Sequence, residues 1–216
     1  MRFDIKHAEE FSRGEALLRT FFGIIYIGIP HMIPLMFIGI GVMFAQFIAM
    51  LSVLFTGKYP QGIFDFVLKY NRWNQRVSAR LMNLCDGYPA FGLNGQDDYV
   101  TLEATNPEKI PFASSWMRFL FGFFYVIIPH GIVLMFYMIP AMLLMYFAWL
   151  VIAITGKYPK PWHDYMVGIS RWSLRVNFFM NFMNHEYPPF SGKMTDAERN
   201  EGSGSAVPAN DDLLDS

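Results

Sequence analysis

Two windows of the chain contain no Asp, Glu, Lys or Arg: Thr20 to Gly57 and Phe119 to Gly156, 38 residues each. A helix needs about 20 apolar residues to cross the hydrocarbon core of a bilayer, and about 18 already make a candidate. Two windows of this length cannot sit exposed in water, so lipid is their expected solvent. Composition agrees: 53% of the 216 residues are hydrophobic and 16% charged, where soluble domains carry near a quarter charged residues. The formal net charge of −1 provides no field to attract nucleic acid, and no nucleic-acid partner is expected. A single cysteine, Cys85, rules out an intramolecular disulfide. Met1 to Arg19 is charged throughout and lacks the apolar run and cleavage site of a secretory signal.

Shifted by 99 residues, the chain falls on itself. Arg19 to Gly92 aligns with Arg118 to Ser191 without a gap, and 28 of the 74 positions are identical. The identities cluster. Ile29-Pro30-His31 recurs as Ile128-Pro129-His130, and Thr56-Gly57-Lys58-Tyr59-Pro60 as Thr155-Gly156-Lys157-Tyr158-Pro159. Asp65, Arg72-Trp73 and Arg76-Val77 recur as Asp164, Arg171-Trp172 and Arg175-Val176, and Tyr88-Pro89 with Phe91 as Tyr187-Pro188 with Phe190. A fixed-period repeat means one structural unit used twice.

A straight helix of one window would be about 57 Å long, against a hydrocarbon core of about 30 Å. Two passes of about 18 residues per window fit better. The turns would fall near Gly39-Ile40-Gly41 and near Ile139-Pro140, where glycine and proline are the expected breakers. All 17 Lys and Arg lie outside the windows. Hairpins would bring every one of them to a single face, which the positive-inside rule makes cytoplasmic, whereas the alternative, one kinked pass per window, would invert the copies and put one basic half on each side. The expected fold is therefore an all-α integral membrane protein of two tandem parallel repeats. Each repeat would be a transmembrane helical hairpin followed by an amphipathic interfacial helix, with both termini cytoplasmic.

That following helix is predicted over Ile63 to Leu84. Phe66, Tyr70, Trp73 and Val77 recur on one face, and Asp65, Lys69, Arg72, Arg76 and Arg80 on another, the pattern of a basic helix lying in the interface plane. Tyr-Pro at 88–89 and 187–188 is expected to stop it. The resulting division is a cytoplasmic segment 1–18, repeat one 19–92, a cytoplasmic linker 93–117, repeat two 118–191 and a disordered acidic tail 192–216.

Together the Ile-Pro-His, Thr-Gly-Lys-Tyr-Pro, Arg-Trp-x-x-Arg-Val and Tyr-Pro-x-Phe motifs resemble the bacterial "domain of unknown function 4389" family, over Arg19 to Gly92 and Arg118 to Ser191. Copy one departs slightly, with Ala90 where copy two has Pro189. The resemblance implies tandem copies in a bacterial membrane protein, and hence an inner-membrane location. It brings no activity, substrate or cofactor.

His31 and His130, each after a proline (Pro30, Pro129) inside an apolar window, are the sharpest candidates for chemistry, since an ionisable group at membrane depth is a functional hypothesis by default. They could form a proton relay. Equally, Pro30 frees the carbonyl of Tyr26, and the imidazole could donate to it and hold the kink. Two histidines alone are too few for a metal site, and neither metal nor cofactor is expected. Lys58, Arg72, Arg76, Lys157, Arg171 and Arg175 are candidate contacts for lipid headgroups. Tyr59, Trp73, Tyr158 and Trp172 are candidate interface anchors. Asp65 and Asp164 read as helix-start acids, Asp65 with Lys69 one turn away as a pairing partner. The function expected is a non-enzymatic accessory or scaffold component that engages membrane lipids and a membrane partner or further copies of itself. The alternative is a small, proton-linked channel or transporter built on the Pro-His motifs.

Overall fold

The computed structural model describes residues 1–196 together with Glu198 and Arg199; the rest of the expected tail lies outside the described residues. Each charge-free window, up to its closing glycine, lies within one 44-residue helix, α1 (Arg13–Thr56) and, in the second copy, Phe112–Thr155. Helix α2 (Gln61–Leu81) follows the first; the Phe112–Thr155 helix is α3, and α4 (Lys160–Met180) follows it. Strands β1 (Arg2–Ile5) and β2 (Val100–Glu103) pair antiparallel, with Phe3 opposite Leu102. The fold is therefore not purely helical.

The expected hairpin turns are absent. At Gly39 and Gly41 the missing side chains admit the neighbouring helix. A Cβ on Gly39 would lie 3.0 Å from Tyr70 Oη, and one on Gly41 3.9 Å from Phe66. In the second copy α3 runs through Pro140, and Tyr165 Oη donates to the nearby carbonyl of Tyr137 at 2.8 Å. The helices do end where the Thr-Gly-Lys-Tyr-Pro motifs stand, at Gly57 (φ +72°) and Gly156 (φ +73°), in the left-handed conformation that glycine adopts without penalty.

Segments 1–18 and 93–117 are structured rather than loose. They supply the two strands and the first turns of α1 and α3, α1 being capped by the Ser12 side chain accepting from Glu15 N. Helix α2 stops at Leu81, three residues before the predicted end, because Asn83 turns to φ +56°; Phe182, its counterpart, sits at φ +61°.

The hydrogen bonds between the copies obey the same 99-residue shift. Ile110 N donates to Gly57 O at 2.8 Å, and Phe11 N to Gly156 O at 2.8 Å. Asn106 Nδ2 donates to Tyr59 O at 3.0 Å, and His7 Nε2 bonds Tyr158 O at 2.8 Å. Arg72 Nε donates to Leu102 O and Arg171 Nε to Phe3 O, both at 2.7 Å. These three contacts from copy one to copy two each have their reverse, which defines a two-fold axis passing through the Phe3–Leu102 pair. Helices α1 and α3 run antiparallel across it, so the two repeats are not the parallel pair expected from the hairpin reading. Phe21 near the start of α1 meets Trp149 near the end of α3, and Trp116 Nε1 donates to Leu54 O at the other end.

The molecule is layered along this axis. The long helices form one layer. Helix α2 packs back along α1, with Phe66 at Gly41, Trp73 at His31 and Leu81 at Gly23; α4 does the same on α3. The sheet and loops lie over α2 and α4, held by Arg72 and Arg171. Phe3, Leu102, Phe64, Val67, Val167 and Phe178 make the shared core between the repeats. The outer faces of α1 and α3 stay uncovered: Phe21, Phe37 and Phe55 are 64%, 63% and 72% exposed, and Phe136 on α3 62%.

Candidate functional site

In each repeat the scattered motifs converge on the Pro-His turn. Proline has no N–H, so Pro30 and Pro129 leave α1 and α3 without one backbone donor each. Upstream the backbone widens to π geometry over Ile24–Gly28 and Phe123–Ile127, with Ile29 N bonding Ile24 O and Ile128 N bonding Phe123 O. The freed carbonyls of Tyr26 and Tyr125 accept instead from Tyr88 Oη (3.2 Å) and Tyr187 Oη (2.9 Å). The orphan carbonyl was legible from Pro30. Its donor is the tyrosine of the Tyr-Pro-x-Phe motif rather than the imidazole. The repetition of that motif in both copies was the available signal.

The imidazoles are acceptors. Trp73 Nε1 donates to His31 Nδ1 at 2.8 Å and Trp172 Nε1 to His130 Nδ1 at 2.9 Å. The proton of each neutral ring therefore sits on Nε2. His31 and His130 are fully buried, walled by Tyr88 and Phe91 or by Tyr187 and Phe190. Each histidine belongs to its own repeat's cluster, and the two rings do not build one shared site. Replacing Tyr88 or Tyr187 by phenylalanine is expected to cost about 0.5–1.5 kcal/mol, the net contribution of one hydrogen bond. Chemical unfolding followed by far-UV circular dichroism would measure it.

The arginines expected at lipid headgroups are turned inward. Arg76 donates to Gly95 O (2.7 Å) and Gly92 O (2.5 Å). Arg175 donates to Ser191 O and Lys193 O (both 2.8 Å) and pairs with Glu198. Arg72 and Arg171 grip the strands, Arg171 also pairing with Asp4 at 3.0 Å. Loop carbonyls without a sheet or helix partner outcompete solvent for a planar five-donor guanidinium. These pairings also fold the stretch 192–195, expected to be disordered, against α4. Lys58 and Lys157 do stay exposed at the ends of the long helices. The expected interface anchors are core residues instead: Trp73, Trp172 and Tyr158 are 1% exposed and Tyr59 4%. Burial pushes both tyrosine phenols above their usual range. Asp65 accepts from Gln61, not Lys69, and Asp164 from Lys160.

Helix α2 is thus not a free interfacial helix. Its apolar face lies on α1, and its basic face lies under β2 and the 92–97 loop. Its third face looks across the two-fold axis. There Asn71, Asn74 and Ser78 stand opposite Ser170, Ser173 and Asn177, the same positions of the repeat, around a groove of about 470 Å³ walled by Met138, Met142 and Met145. Hydroxyls and carboxamides offer hydrogen bonds without charge beside a flexible apolar wall, a chemistry suited to an amphipathic ligand.

One buried histidine went unnoticed in the sequence because copy one has Phe64 in its place. His163 Nε2 bonds Leu84 O of the other repeat at 3.1 Å, with the His7 ring edge-on 4.9 Å away. Burial first, then His7, push its pKa down to about 4. The folded protein holds it neutral, while the unfolded chain binds a proton near 6.5. Stability is therefore complete above about pH 6.5 and falls as pH drops toward 4, by about 3 kcal/mol in all. His163→Gln should flatten the loss of melting temperature between pH 7.5 and pH 5.

The architecture defines a class: two tandem copies of a long apolar helix with a shorter helix folded back on it, the long helices being long and apolar enough to cross a membrane by length and composition. The chain belongs to the family described as Domain of unknown function (DUF4389), which matches residues 14–92 and 113–192. No curated protein and no solved structure matches it.

Proposed function

We propose that this protein is a non-enzymatic component of a bacterial inner membrane, an accessory or scaffold unit that holds lipid and a membrane partner, with both termini on the cytoplasmic side. One observation carries the proposal. Both repeats present an uncovered apolar face, on α1 and α3, while the repeated arginines, histidines and tryptophans are engaged in locking the fold. Lys58 and Lys157 flank that face, where each contributes about 1 kcal/mol of attraction to an anionic leaflet. The uncharged groove between the repeats supplies a place for the polar part of a lipid.

Fractionation followed by gentle extraction tests this. The protein should stay with membranes through an alkaline carbonate wash. It should leave them in mild detergent with lipid or a protein partner at fixed stoichiometry. Recovery in the aqueous fraction without detergent would end the membrane reading. Extraction as a lipid-free monomer would end the scaffold reading.

A further inference from the structure

We infer that α1 and α3 lie flat within one leaflet of the membrane instead of crossing it, so that the partner of the apolar face is a single lipid monolayer. The inference rests on the membrane reading above and adds the orientation.

The two-fold axis decides it. The axis relates antiparallel helices, so it is perpendicular to them and meets them at mid-length. It also passes through the Phe3–Leu102 pair of the sheet. The sheet therefore stands level with the middle of the long helices, not beyond either end. Were the helices upright across a bilayer, the axis would lie in the membrane plane at mid-depth. The sheet would then carry Arg2, Asp4 and Glu103 into the centre of the hydrocarbon, and the Asp4 and Glu103 side chains are 42% and 48% exposed. Each charged residue there costs about 2.5–3.5 kcal/mol even on insertion scales.

Turned flat, the same axis becomes the membrane normal. The sheet, loops and cations then face water, and the exposed phenylalanines of both helices face lipid. Length agrees. A 44-residue helix is about 66 Å long, and hiding it across a core of about 30 Å would need a tilt beyond about 60°, where spanning helices average about 20°. Charge agrees as well. Upright helices would place Arg13 and Lys157 on one side and Lys58 and Lys109 on the other, with no bias to set topology. Flat helices put all four on the side where the remaining cations lie.

Depth measurements test the orientation. Phe21→Cys, Phe37→Cys and Phe55→Cys are each labelled with a fluorophore in liposomes containing lipids brominated at shallow or deep acyl positions; native Cys85 is fully buried. Flat helices give one depth for all three sites. Maximal deep quenching at Phe37→Cys with shallow quenching at the other two overturns the orientation while leaving the membrane reading intact. No quenching at any site overturns both. In sealed vesicles, Arg13→Cys and Lys58→Cys should react with an impermeant maleimide from the same face, and reaction from opposite faces is the contrary result.

Discussion

Replacing Trp73 or Trp172 by alanine is expected to lower unfolding stability by about 3–5 kcal/mol, the range for truncating a buried aromatic. Each indole is 1% exposed and closes the gap between a long helix and the helix folded back on it. Trp73 contacts Val77, Ile27 and Leu35 in one cluster and meets the Phe91 ring at 4.9 Å. It is also the donor that His31 Nδ1 accepts from. Alanine removes both the packing and the hydrogen bond, and leaves the imidazole without a donor in an apolar enclosure. Phenylalanine at the same position keeps most of the packing and loses the hydrogen bond, so a smaller cost of about 1–3 kcal/mol is expected. Denaturant titration in detergent micelles, followed by circular dichroism, would separate the two. An alanine variant within about 1 kcal/mol of the wild type would show that the repeated Trp–His contact does not hold the repeat together.

Asp97→Ala carries a comparable expected loss for a different reason. Asp97 Oδ2 and Arg80 Nη1 are 2.7 Å apart, and each side chain is 4% exposed. The Asp97 carboxylate also accepts from Tyr99 N at 3.0 Å and Val100 N at 2.9 Å, shaping the turn into β2. Removing it strands a buried guanidinium, at a cost of about 3–5 kcal/mol. The second repeat shows a compensation. Where copy one has Arg80, copy two has Phe179, an apolar side chain 4% exposed. Arg80→Phe combined with Asp97→Ala should therefore recover much of what Asp97→Ala alone loses, since apolar replacement of a buried pair is often close to neutral. If the double variant is no more stable than Asp97→Ala, the ion pair is not the source of the loss, and the turn hydrogen bonds are.

The repeat, its 99-residue register and the ends of the long helices at Gly57 and Gly156 could all be read from residues, because a motif that recurs intact and a glycine at a helix end act locally. The freed carbonyl at Tyr26 was legible for the same reason: proline's missing donor is a property of one residue. What was not legible depends on partners far along the chain. Gly39-Ile40-Gly41 has the composition of a turn. It is helical because Tyr70 and Phe66 need the space, and that is decided by how α2 packs. Arg72 and Arg171 have the spacing of a headgroup-binding stripe. Their actual partners are carbonyls of Leu102 and Phe3, residues in the other half of the molecule and in strands of four residues, too short to announce themselves. Trp73 and Trp172 share the composition of interface anchors and of a core, and only the approach of His31 and His130 distinguishes these. The single-face rule for the cations selects hairpins only if a long helix must stand upright, and a helix lying flat satisfies the same rule.

The exchange of strands has a consequence for how such a protein can come apart. Arg72 of the first half grips the strand that leads into the second half, and Arg171 of the second half grips the strand that leads into the first. The halves are interlocked like clasped hands. One unit alone would display an ungripped strand, an empty arginine and a bare helix flank, all complementary to a second unit of the same kind. A chain carrying one copy would complete itself by pairing with its twin, and the tandem chain corresponds to that homodimer with its two subunits joined end to end, which fixes them at a one-to-one ratio and leaves the two sides of the dyad free to diverge.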